Sequence, residues 1–163
     1  MKRLFFLILL LPFYALAQDC NLPIEKDQYS NELKVSSGFI TLDRASLSID
    51  ADSKMIDFFF TLNGNGKCFD YESSVVLSFE GSKLKTNYKS SGTINCEGYF
   101  HFSFRNGTGT PSTLLNIATR KVLTMKFMGT NKTETNLALT DEQQQTLMEL
   151  AACVIKEAKT LLK

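Results

Sequence analysis

The sequence predicts an α+β protein that is mainly β: an antiparallel meander of about eight strands, packed by one C-terminal amphipathic helix. From about residue 33 to residue 139, apolar residues recur with a period of two, which is typical of strands with one buried face. After Thr140 they recur at helical spacing. Short turns join the strands, so the expected architecture is a sandwich, one curved sheet or a partly closed barrel.

Residues 1–17 have the pattern of a secretory signal peptide. Lys2 and Arg3 precede a short apolar run, and Ala15-Leu16-Ala17 provides the small side chains that signal peptidase requires. The run is too short to cross a bilayer as a helix. We therefore expect an exported mature chain, periplasmic or secreted, in which residues 18–163 form a single β-rich domain. Asp19 before Cys20 disfavours lipid attachment at that cysteine.

Eight segments have strand character, and turn residues separate them. The clearest, Lys54–Leu62, is apolar on both faces, which indicates a central strand. The predicted strands are Gly38–Leu42, Ala45–Asp50, Lys54–Leu62, Ser74–Glu80, Lys83–Tyr88, Gly98–Arg105, Thr113–Ala118 and Val122–Met128. In the last strand we expect Leu123, Met125 and Phe127 to point inward.

The C-terminal helix is predicted over about residues 140–162. Thr140 and Gln143 have the pattern of a capping box, which marks a helix start. Glu149 and Glu157 share the polar side with lysines, which is unlike the basic face of a membrane-surface helix. We therefore expect the apolar side to pack on the sheet. Its residues are Leu147, Leu150, Ala151, Val154, Ala158 and Leu161.

Four cysteines in an exported protein predict two disulfides, and three pairings are compatible with the sequence. Cys153 lies at the edge of the apolar helix side, within reach of an extended segment that crosses the helix. Cys20 begins the mature chain, whose free end would fray without an anchor. We expect Cys20 to pair with Cys153, which leaves Cys68 with Cys96. A redox role is disfavoured because the cysteines are far apart in sequence.

No catalytic, cofactor-binding or metal site is predicted. His101 is the one histidine of the chain, so it cannot complete a multi-histidine metal site, and the sequence identifies no partners for a Ser-His-Asp set. Asp50 and Asp52 resemble the start of a calcium loop, but Lys54 occupies a position where the ion needs oxygen. We expect these carboxylates to solvate a turn.

The mature chain carries several short structural motifs. They are Cys20 followed by Glu25-Lys26-Asp27, a run of Phe-rich strands, and the sequences Phe127-Met-Gly-Thr-Asn-Lys132, Leu139-Thr-Asp with Gln144, and Ala152-Cys153-Val-Ile155. In these features the chain resembles a group of small exported proteins of Gram-negative bacteria to which no function is assigned. The resemblance implies an antiparallel β domain closed by a helix, with the N-terminal cysteine bonded to the helix cysteine. It carries over no catalytic or binding residue.

Charge does not point to a nucleic acid or an anionic membrane as partner. The chain has 18 basic and 17 acidic residues, and loss of Lys2 and Arg3 with the signal peptide brings the net charge near zero. We expect a monomeric, non-enzymatic domain that binds an unknown protein or envelope component. Tyr99, His101 and Arg105 form the candidate binding patch. The alternatives are an inhibitor of an exported hydrolase, and a small-ligand carrier or enzyme whose site assembles from scattered residues.

Overall fold

The computed structural model describes residues 20–27, 31–64, 66–83 and 85–162, and within these ranges the chain forms nine strands and two α-helices. The predicted signal peptide lies outside the described residues. The elements in chain order are β1 (Ile24–Lys26), β2 (Leu33–Leu42), β3 (Ala45–Ala51), β4 (Met55–Leu62), β5 (Ser74–Phe79), β6 (Lys85–Lys89), β7 (Tyr99–Arg105), α1 (Ser112–Thr119), β8 (Val122–Met128), β9 (Glu134–Ala138) and α2 (Asp141–Thr160).

The strands form two antiparallel sheets. The five-stranded sheet has the order β1-β2-β3-β4-β7, and the four-stranded sheet has the order β6-β5-β8-β9. The sheets are not closed into a barrel. The prediction of a mainly β, antiparallel fold with a C-terminal helix is therefore confirmed, and the architecture is two sheets that share a core.

Buried aromatic rings fill the centre of that core. The rings of Phe60 in β4 and Phe127 in β8 have centroids 5.2 Å apart, and Phe100 in β7 contacts Phe127 at the same separation. Phe58 stacks on Phe102 at 5.0 Å. Burial of one such side chain contributes about 1.5–3 kcal/mol, so these rings hold the two sheets together.

Helix α2 packs on the inner side of the five-stranded sheet. The capping box is confirmed: the Gln143 amide donates to the Thr140 hydroxyl, and the Thr140 amide donates to the Gln143 side chain. Leu147, Ala151 and Val154 are buried in the same core as the inner residues of β3 and β4. The opposite side of this sheet, called the outer face below, therefore does not carry α2.

The predicted strand Thr113–Ala118 is wrong, because these residues lie in helix α1. Pro111 directly precedes the helix, where its missing amide hydrogen costs nothing. Leu114 and Ile117, three residues apart, are the buried pair, and they pack with α2. The buried apolar residues thus follow the helical period, which a segment of eight residues does not display clearly in its sequence.

The inward position predicted for Leu123 is also wrong. Pairing of β5 with β8 shifts register after Ser78, so Phe79 lies opposite Val122 and Leu123 is skipped. Val122 is therefore buried with Met125 and Phe127. Two further strands, β1 and β9, were not among the predicted segments.

Two disulfides are present, and the expected pairing is confirmed: Cys20 with Cys153, and Cys68 with Cys96. The first ties the start of the described chain to α2. The second lies where the two sheets meet, because the Cys68 carbonyl oxygen accepts a hydrogen bond from the Thr130 amide at 3.0 Å. Paired cysteines of this kind are typical of proteins exported to an oxidising compartment.

Candidate binding surface

The candidate patch residues Tyr99, His101 and Arg105 all lie on the outer face. Each lies an even number of residues from the others along β7, so their side chains share one face, whereas Phe100 and Phe102 point into the core. Tyr99 and Arg105 are at opposite ends of the strand, six residue pairs of the β4–β7 ladder apart, which is about 20 Å. The three residues therefore belong to one face, and the side chains between and beside them come from the neighbouring strands.

Strand register arranges the outer face in rows that cross the sheet. One row, the aromatic row, contains Phe39 in β2, Ser48 in β3, Phe59 in β4 and His101 in β7. The next, the acidic row, contains Ser36, Asp50, Asp57 and Ser103 on the same four strands. The rows lie two residues apart along β3, β4 and β7, which is about 7 Å, and three residues apart along β2, where the register shifts.

The aromatic row is an exposed apolar strip. The ring of Phe39 is 67% exposed, and it meets the ring of Phe59 edge-on with centroids 6.5 Å apart. Ser48 stands between them in register and is only 3% exposed, because the two larger side chains cover it. Tyr99 extends the strip, with its ring 5.6 Å from that of Phe59. Exposed aromatic rings grouped in this way are typical of interaction surfaces.

His101 and Asp57 form a pair that links the two rows. Nδ1 of His101 lies 3.1 Å from Oδ1 of Asp57, and both side chains are about three-tenths exposed. A carboxylate only accepts, so Nδ1 carries the donated proton. Burial raises the pKa of the Asp57 carboxyl, the hydrogen bond and charge of His101 oppose the rise, and Asp50 adds to it. Gly92 lies against the imidazole, where a Cβ would come within 2.9 Å of the ring.

The acidic row borders a depression of about 380 Å³. Carboxylates dominate its lining, while Met55 and Ala51 contribute apolar surface. The residues that line it are Glu25, Lys34, Ser36, Asp50, Ala51, Asp52, Met55 and Asp57. Its mouth is open at the sheet surface, so it suits a protruding side chain of a partner.

The described part of the chain offers little for other chemistries. Within residues 20–27, 31–64, 66–83 and 85–162, no group of three or more His, Cys, Asp or Glu residues is placed to hold a metal ion. No helix in these ranges is long and apolar enough to cross a membrane. His101 and Asp57 are two members of a charge-relay arrangement, but no hydroxyl among the described residues is hydrogen-bonded to the free side of the imidazole.

Sequence analysis alone missed most of the outer face. It described the strand at Lys54–Leu62 as apolar on both faces, and it placed His101 in the candidate binding patch without a partner from another strand. It assigned Asp50 to a turn and gave no role to Asp57. One signal of the aromatic row was present in the sequence: Phe39, directly after Gly38, is a large apolar residue among the polar residues of its strand.

No protein-family model, no curated protein and no solved structure matches this chain. The geometry and charge of the outer face are therefore the features of this chain that bear on its function.

Proposed function

We propose that this protein is an exported, non-enzymatic, monomeric domain that binds a protein or envelope component through the outer face of its five-stranded sheet. The observation that carries the proposal is the exposed aromatic row with its neighbour Tyr99. A ring such as Phe39, exposed over two-thirds of its surface, contributes nothing to the core. Aromatic side chains of this kind provide much of the binding energy where proteins associate.

The interior supports a surface role over that of a ligand carrier. Rings of Phe60, Phe100 and Phe127 are in mutual contact where a carrier would enclose its ligand. The acidic depression lies on the outer face and is open to the surroundings. The two disulfides support export, because such bonds persist in oxidising compartments. An inhibitor of an exported hydrolase would be one form of the same binding role.

Site-specific photo-crosslinking in the cells that produce the protein tests the proposal. A benzophenone side chain replaces Phe39 in one variant and Tyr99 in another. The control replaces Tyr71, which is aromatic and 65% exposed but lies in the turn before β5. We expect the two outer-face variants to form the same adduct with one exported or envelope component. The Tyr71 variant should not form it.

Two results would overturn the proposal. One is the absence of any adduct from both outer-face positions in an export-competent protein. The other is an equal yield of the same adduct from position 71, because a partner that contacts that turn as strongly does not depend on the outer face.

A further inference from the structure

The acidic row and the aromatic row are adjacent, so a partner that covers one meets the other. Asp57 and Phe59 are two residues apart on β4 and point to the same side. Asp50 is opposite Asp57 on β3, and Ser48 beneath the aromatic rings is opposite Phe59. An apolar group seated on Phe59 therefore stands about 7 Å from the two carboxylates.

Carboxylates outnumber cations in the depression beside this boundary. Four of its lining residues, Glu25, Asp50, Asp52 and Asp57, are acidic and one, Lys34, is basic. The Lys34 ammonium is 2.6 Å from the carboxylate of Asp27. That hydrogen bond raises the pKa of Lys34 against the opposing effect of burial, and the charges of Asp52 and Asp50 add to the rise.

The position of Asp50 opposite Asp57 is unfavourable for the isolated sheet. Like charges directly across an antiparallel pair destabilise it. Lys34 already shares its charge with Asp27, and His101 contacts Asp57 from the side away from Asp50. A positive charge placed between Asp50 and Asp57 by a partner would remove the repulsion, because opposite charges attract most strongly where water is partly excluded.

We infer that the outer face binds a segment of another exported protein in which a lysine or arginine side chain enters the acidic depression while a neighbouring apolar side chain covers Phe59 and Phe39. The inference rests on the proposed function and specifies the chemistry of the partner. The excess of carboxylates in the depression favours a basic side chain of the partner. The aromatic row, about 7 Å away, favours an apolar side chain next to it. In an extended segment, the apolar residue stands two positions from the basic one.

Arginine fits this boundary better than lysine. Its planar guanidinium can donate to two carboxylates at once, whereas the lysine ammonium is a single point charge. Asp50 and Asp57 face each other across β3 and β4 and provide the two carboxylates. We therefore expect arginine to be preferred among the basic residues that the depression accepts.

The test selects random displayed peptides on the folded, disulfide-bonded mature protein, and then measures the affinity of the selected sequences. Three variants are compared with the native protein. The first is a double variant, Asp50→Asn with Asp57→Asn, which removes the facing charges. The second, Phe39→Ser, removes the most exposed ring of the aromatic row. The third is the control, Glu72→Gln with Glu80→Gln, which makes the same change in net charge at exposed positions away from the outer face.

We expect the selected peptides to carry arginine or lysine two positions from an apolar residue. Removal of the facing charges should weaken their binding about tenfold or more. The native affinity should also fall when the salt concentration rises from about 50 mM to about 500 mM. The Glu72 and Glu80 double variant should bind like the native protein, since it controls for net charge.

The outcomes separate the inference from the proposed function. Peptides that lose affinity with Phe39→Ser but show no basic residue, or are indifferent to the loss of Asp50 and Asp57, would overturn the inference and leave the outer face as the binding surface. Peptides indifferent to all three variants would count against both. Self-association that Phe39→Ser abolishes in sedimentation would identify a second copy as the occupant and would also overturn the inference.

Discussion

Asn106 and Ala158 are joined by a hydrogen bond of 2.7 Å from the buried side-chain amide of Asn106 to the Ala158 carbonyl oxygen near the end of α2. The same amide group donates to the carbonyl oxygen of Asp52 at 2.8 Å. One side chain after β7 thus links the end of the helix to the turn between β3 and β4. That turn borders the acidic depression, so Asn106 helps to position the candidate surface.

Replacement of Asn106 by aspartate should destabilise the fold. A carboxylate cannot donate, so the carbonyl oxygens of Ala158 and Asp52 lose a partner and face a negative charge instead. We expect the free energy of unfolding to fall by roughly 1–3 kcal/mol or more, measured by urea denaturation. Asn87→Asp, an exposed position of β6, should change it by less than about 0.5 kcal/mol. Equal effects of the two substitutions would contradict the assigned role.

Gly98→Ala should also be destabilising. Gly98 precedes β7 with φ at +84°, a conformation that side chains disfavour, and an added Cβ would overlap the carbonyl oxygen of Leu62 at the end of β4. We expect a loss of more than about 1 kcal/mol in the free energy of unfolding. Gly109→Ala is the matched control, because nothing lies within 4 Å of a Cβ there. A Gly98 variant as stable as the Gly109 variant would show that the backbone adjusts.

The disulfide between Cys20 and Cys153 should protect β1 specifically. Strand β1 has three residues, all of them exposed, and so has little packing of its own. In the double variant that carries Cys20→Ser and Cys153→Ser, we expect amide hydrogen exchange at residues 24–26 to become fast while β4 stays protected. In Cys68→Ser with Cys96→Ser, β1 should remain protected under conditions where the protein is folded. Unchanged exchange at β1 in the first variant would contradict this anchoring role.

The two disulfides should also differ in their effect on global stability. They span 133 and 28 residues of sequence separation. Chain-entropy reasoning assigns about 5 kcal/mol to closure of the longer loop and about 3.6 kcal/mol to the shorter. The urea midpoint of the Cys20 and Cys153 variant should therefore be the lower of the two. The reverse order would mean that residual structure in the unfolded chain already holds the longer loop together.

Elements with a buried residue at every second position could be predicted from the sequence. Strands β3, β4 and β7 begin and end within one residue of the predicted bounds, because alternation fixes which face is buried. Strand β1 has no such signal, since its residues are all exposed. Helix α1 was mistaken for a strand because eight residues contain too few turns for a helical period to stand out.

The candidate surface could be predicted only within single strands. Alternation alone places Tyr99 and His101 on one side of β7. The contacts of His101 with Asp57 and of Phe39 with Phe59 depend on strand order and register. Register in β2 changes between Ser36 and Phe39, and short-range patterns do not specify such a shift. The rows therefore became visible only in the folded chain.

Asp57→Asn should stabilise the protein, and the gain should depend on pH. The folded-state pKa of Asp57 is raised above 3.8, chiefly by burial. A raised carboxyl pKa contributes stability that is fully present below about pH 3.8 and is lost as the pH rises through the folded-state value. Asparagine keeps an oxygen that accepts from Nδ1 of His101 but has no proton to lose.

The melting temperatures of the Asp57→Asn variant and the native protein should therefore diverge between about pH 3 and about pH 8, with the variant gaining as the pH rises. Part of this gain is relief of the repulsion from Asp50, which is one cause of the raised pKa of Asp57 and amounts to roughly 0.2–1 kcal/mol for a cross-strand pair. Ser103→Ala, at the neighbouring position of β7, does not titrate and should give a constant difference. A constant difference for Asp57→Asn as well would contradict the raised pKa. A growing one would mean that the acidic row is retained at a cost in stability, as expected of a surface selected to meet a cation.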